Sequence, residues 1–149
     1  MTTLRDALIT DDSKRRVLID DCVRLIDSEV SRKRGFSGIA VKAGFKVVKS
    51  VKPGFVRTVI DMLFDEFIAE VEPFYTSWKD GGSGAFGDHL KGQRREVASA
   101  LLNVTDRRAA RAQTRSVRKA YDKLRPSAAG HVEDAIDGMG AILQRHLNA

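Results

Sequence analysis

Apolar residues recur at three-and-four spacing along almost the whole chain, and only Pro53, Pro73 and Pro126 could interrupt the pattern. That period lines one face of an α-helix, whereas a half-buried strand would alternate. It predicts an all-α fold, a single helical bundle of about five main helices near 14–33, 36–52, 55–78, 89–104 and 106–147, the last broken at Pro126. A short N-terminal helix precedes them: Thr3 followed by Asp6 is a capping-box pattern, and Asp11, Asp12 and Ser13 restart the chain. At 149 residues the chain suits one domain spanning 1–149, a size at which folding buries about 68–70% of the extended surface.

The stretch 36–52 is apolar around most of its circumference. Phe36, Ile39, Ala40, Ala43, Val47, Val48 and Val51 are joined by Val41 and Phe45, and Lys42, Lys46 and Lys49 form a narrow polar stripe. Helices of this kind are usually central and buried, so it is expected to be the most buried long element, with Gly44 at a close helix contact. The helix 55–78 carries Val56, Ile60, Leu63, Phe67, Val71 and Phe74 as its inner stripe. Residues 31–60 hold eight bases and no acid, while 61–72 hold five acids and no base. The Pro53-Gly54 turn would make these helices antiparallel neighbours with opposite charges along the seam.

Charge is concentrated further on. The chain has 26 Lys and Arg against 20 Asp and Glu, and the whole excess of +6 lies in residues 106–125, where eight bases meet two acids. On a helix Arg107, Arg111, Arg115, Arg118 and Arg125 fall on one side, with Arg108, Lys119 and Lys123 beside them; Ala109, Val117, Ala120, Tyr121 and Leu124 fall on the other. A positive ridge on an amphipathic helix attracts anionic partners: an acidic protein, nucleic acid or an anionic membrane surface. Arg107, Arg108, Arg111, Arg115, Arg118, Lys119 and Arg125 are the candidate binding residues.

Other motifs carry less. Gly82, Gly84 and Gly87 spell G-x-G-x-x-G before a helix, but a helix rather than a strand precedes them, and Asp88 puts negative charge where pyrophosphate would sit. The segment reads as a helix connection with Phe86 tucked against the bundle and Asp88 capping the next helix. His89, His131 and His146 have no metal-ligand spacing, so no metal or cofactor is expected. Cys22, the only cysteine, lies in an apolar stripe and reads as an inert hydrophobe. A lone cysteine, no run of apolar residues long enough to span a membrane, and no secretory leader pattern fit a cytoplasmic protein. Glu29 and Arg94 each project among apolar neighbours, which predicts one interior ion pair between them or a partner for each at a bundle edge.

The string Ser116–Val132 (SVRKAYDKLRPSAAGHV), the glycine-spaced stretch 36–52 and the GGSGAFGDHL loop together resemble a family of small helical bacterial proteins, mostly actinobacterial, with no assigned function. The resemblance spans nearly the full length and implies a bacterial context, but supplies no functional positions. Paired carboxylates, a base-activated nucleophile and metal spacing are all missing from the sequence, so an enzyme is not expected. The leading expectation is a non-enzymatic binding or adaptor protein that uses the basic ridge. The alternative is a bundle carrying a small apolar ligand such as a fatty acyl chain.

Overall fold

A computed structural model describes residues 2–148. Among them the chain forms seven helices and no strand: α1 (Leu4–Leu8), α2 (Asp12–Arg32), α3 (Gly35–Lys49), α4 (Phe55–Gly81), α5 (Phe86–Gly92), α6 (Arg94–Ala109) and α7 (Arg115–Leu147). The all-α reading holds, and the opening caps form as the sequence specifies. Thr3 accepts from the Asp6 amide and Asp11 from the Lys14 amide, each satisfying a donor that a helix start leaves open. Gly54, at φ +70°, makes the left-handed entry into α4.

The helix count changes because two boundaries fall elsewhere. The expected helix 89–104 divides at Gly92-Gln93 into α5 and α6, and Asp88 lies in the first turn of α5 instead of capping it. Pro126 does not break the last helix, and Pro73 stands inside α4. Both prolines are on exposed faces, where water can meet the carbonyl four residues earlier that loses its amide partner. The break comes instead at residues 110–114, turning α6 back onto α7. Thr105 and Asp106 therefore lie inside α6, which runs on to Ala109, and the expected boundary between 104 and 106 does not form.

The core is built from α1, α2, α4, α5, α6 and α7: Leu4 and Leu8, Leu18 and Ile19, Phe64, Ile68, Val71 and Tyr75, Phe86 and Leu90, Val97, then Ile136, Ile142 and Leu143. Phe86 is fully buried and meets the Tyr75 ring edge-on at 5.4 Å. Beside it Gly87 and Gly140 bring the backbones of α5 and α7 together. The buried stripe of α4 is thus Leu63, Phe64, Ile68, Val71 and Tyr75, rotated from the expected one.

The helix expected at the centre lies at the edge. In α3 only Gly38 and Gly44 are buried, while Phe36 is 95% exposed, Ile39 65% and Val47 37%. Its glycines make the close contacts, Gly38 over Lys33 and Gly44 over Leu124 of α7, so Phe36, Ile39 and Val47 are turned outward while Val41, Phe45 and Val48 are only half-buried. The charge seam with α4 does not form either. The α4 acids pair with α1, α2 and α6: Asp65 with Arg5, Asp61 with Arg15, and Glu66 and Glu70 with Arg107. Lys49 of α3 instead faces Asp27 of α2.

Candidate functional site

The seven cations of the expected binding face are spread over two helices and the corner between them. Arg107 and Arg108 end α6, Arg111 lies in the corner, and Arg115, Arg118, Lys119 and Arg125 follow on α7. Arg107 is 3.3 Å from Glu70, and Arg108 is 4.0 Å from Glu66. Arg125 grips Asp106 with two hydrogen bonds of 2.8 and 3.1 Å, the planar fork geometry that suits a carboxylate. Tyr121 donates to the same carboxylate, and its hydroxyl lies 2.8 Å from that of Thr105.

Asp106 is thereby the lock of the α6–α7 corner. The hydrogen bond from Arg125, then that from Tyr121, holds its carboxyl below the usual range against the effect of burial. Burial, followed by the hydrogen bond to that carboxylate, pushes the Tyr121 phenol up to about 12. Arg111, Arg115, Arg118 and Lys119 remain: all are exposed, and none makes an ion pair among the described residues. Arg107, Arg108 and Arg125 thus have carboxylates within reach, the Arg108 contact being the longest, whereas the other four cations have none among the described residues.

Where the end of α3, the start of α4, the corner and the first turns of α7 converge, the surface opens into a groove of about 410 Å³. Its walls are apolar, from Val48, Phe55, Val59, Met62, Val117 and Leu124, with Arg108 and Arg111 also lining it. Both arginines are exposed, whereas Val48, Val59, Val117 and Leu124 are half-buried. The cations thus stand on the solvent side and the apolar surface lies deeper.

A second feature is the outer face of α3. Phe36, Ile39, Ala40, Ala43 and Val47 share an arc of about 100°, all exposed. Lys42, Lys46 and Lys49 flank them as the only charges in the helix.

Glu29 and Arg94 do not meet. Glu29, buried on α2, pairs with Arg32 and lies 3.7 Å from Lys33, which reaches Asp134 at 3.2 Å. Arg94 lies 2.6 Å from Asp137 of α7. Each charge has found a carboxylate or cation within reach of its own helix end, so no exchange across the bundle is needed.

Sequence reasoning also missed buried Asp21, which lies 2.7 Å from His146 and 3.2 Å from Arg145 and pairs with Arg24. Burial opposes its ionisation, but hydrogen bonds from His146 and Arg24 and the nearby positive charges outweigh it, holding the carboxyl below the usual range. No spacing signal exists for partners separated by 125 positions. Burial, together with the neighbouring Asp21 carboxylate, pushes the Cys22 thiol up to about 11, leaving it protonated near neutrality.

Among the described residues no helix is long and apolar enough to cross a membrane, and no three His, Cys, Asp or Glu side chains converge as a metal site would require. The model of a family of unknown function (DUF6918) matches residues 4–147. No curated protein and no solved structure matches the chain.

Proposed function

The chain belongs to this family of unknown function, and we propose from its own surface that it is a non-enzymatic binding protein that attaches reversibly to an anionic membrane face. The observation that carries the reading is the outer face of α3, where Phe36 is 95% and Ile39 65% exposed on a helix charged only by lysines. Such a helix lies in the plane of the interface, with its apolar side chains among the acyl chains and its lysines at the headgroups. Insertion of so few side chains is weak by itself, and anionic lipid adds about 1 kcal/mol for each Lys or Arg near the surface. Arg111, Arg115, Arg118 and Lys119 enlarge the positive field of the molecule and speed encounter. Acidic proteins and nucleic acids would answer the charges but leave Phe36 in water, which favours the membrane.

Sedimentation with vesicles tests this, using phosphatidylcholine alone or mixed with phosphatidylglycerol, at low and high salt. Binding is expected only with the anionic lipid, weakening as salt rises, and Phe36→Asp should abolish it while leaving the circular dichroism unchanged. Full retention by Phe36→Asp overturns the proposal. So does salt-sensitive binding to DNA or RNA without vesicle binding, or a lipid-free dimer that Phe36→Asp dissolves.

A further inference from the structure

We infer that the groove at the α6–α7 corner is a binding site for one acyl chain carrying an anionic head group. Its volume of about 410 Å³ falls within the roughly 300–1,000 Å³ of small-molecule sites, which pair apolar walls with a few placed polar groups. The division here is unusually clear. Val48 of α3, Val59 of α4 and Val117 and Leu124 of α7 supply the half-buried walls. Among the polar lining groups, the Thr105 and Tyr121 hydroxyls are already bound, to the Leu102 carbonyl and the Asp106 carboxylate respectively. Little in the depth of the groove is left to recognise a polar ligand, so a hydrocarbon chain fits it.

Charge complementarity selects the other end of that ligand. Arg111 has no ion pair among the described residues, and the Glu66 contact of Arg108 is a long one at 4.0 Å. A guanidinium at the solvent edge presents paired donors matched to a carboxylate or phosphate. An acyl chain lying along the valines would bring its head to Arg108 and Arg111. A free fatty acid and a single-chain membrane phospholipid both have this chemistry. The site lies apart from the outer face of α3 and does not rest on the membrane reading.

Calorimetry on the full chain tests the inference with palmitate, its methyl ester and palmitoyl lysophosphatidylglycerol, each below its micelle concentration. One palmitate or one lysolipid per chain is expected, the tighter of the two identifying the source. The uncharged ester and the Arg111→Gln variant should each bind about tenfold or more weakly than palmitate and the parent chain. Val59→Trp and Val117→Trp, filling the groove from α4 and α7, should remove binding, whereas Phe36→Asp should retain it even where it loses vesicles. As a readout independent of those variants, the methyl resonance of Met62 should shift on adding palmitate. No binding of either lipid, equal affinity for acid and ester, or an unmoved Met62 signal overturns the inference.

Discussion

Gly44 lies directly against Leu124, so that a Cβ at position 44 would stand 2.6 Å from Leu124 Cδ1 and 3.1 Å from its Cγ. One missing methyl group lets α3 rest on α7, and the side chain that fills the space also walls the apolar groove. Gly44→Leu should therefore overpack the contact and cost about 1–3 kcal/mol, although leucine favours helix by somewhat under 1 kcal/mol over glycine. Urea unfolding measures the loss, and unchanged stability would mean that α3 is free to slide. Displaced into the groove, Leu124 should also shift the Met62 methyl resonance without any ligand.

The Gly87–Gly140 contact should be less forgiving. A Cβ at Gly87 would stand 2.9 Å from the Gly140 carbonyl oxygen, and one at Gly140 3.1 Å from that of Gly87. The neighbour in each case is backbone, which cannot rotate aside as Leu124 can. Gly140→Ala should lower the melting temperature more than Gly44→Ala does. The double variant Gly87→Ala, Gly140→Ala should depart from the sum of the single effects, because the two sites touch.

Asp21 predicts an acid dependence with a definite sign. Its folded-state carboxyl titrates below the ordinary 3.8, so its contribution is complete above that value and disappears as pH falls through the lowered one. Asp21→Asn should cost about 1–3 kcal/mol at pH 7, where it strips His146 of its carboxylate. The gap between parent and variant in thermal unfolding should close below pH 4. A gap of constant size down to pH 2 would mean that packing, rather than charge, makes Asp21 matter.

Two phenylalanines should behave oppositely. Phe86→Ala, at a fully buried ring, should cost about 3–5 kcal/mol. Phe36→Ser should change stability by less than about 0.5 kcal/mol, since its side chain is in water. A large loss at Phe36 in denaturant titration would return α3 to the core.

The contrast between those residues shows where sequence is informative. Periodicity sees which faces are apolar, and caps such as Thr3 and Asp11 see where helices begin, so the fold class and the opening turns were legible. Periodicity does not say which apolar face is covered. Phe36, Ile39 and Val47 obey the same spacing as the buried stripes, yet Gly38 and Gly44 decide which side of α3 is pressed inward. The corner at 110–114 was hidden for a related reason: the amphipathic pattern runs through it without a glycine or proline. The contacts that fasten it, from Arg125 and Tyr121 to Asp106, are separated by 15 to 19 positions and leave no local signal. The basic ridge was legible as charge, but its division required knowing that Glu66, Glu70 and Asp106 come within reach of some arginines and not others.

The unbroken course of α7 through Pro126 bears on how the molecule is made. Its 33 residues run for about 50 Å, and it packs on α1, α2, α3, α5 and α6. During synthesis these five helices leave the ribosome before the strut they lean on exists. The core cluster of Leu18, Phe86 and Val97 is incomplete until then, because Ile136, Ile142 and Leu143 of α7 belong to it. Assembly should therefore complete only once Ile136, Ile142 and Leu143 have emerged, and ribosome-bound chains stopped before that point should be degraded by added protease at a rate that full-length chains resist.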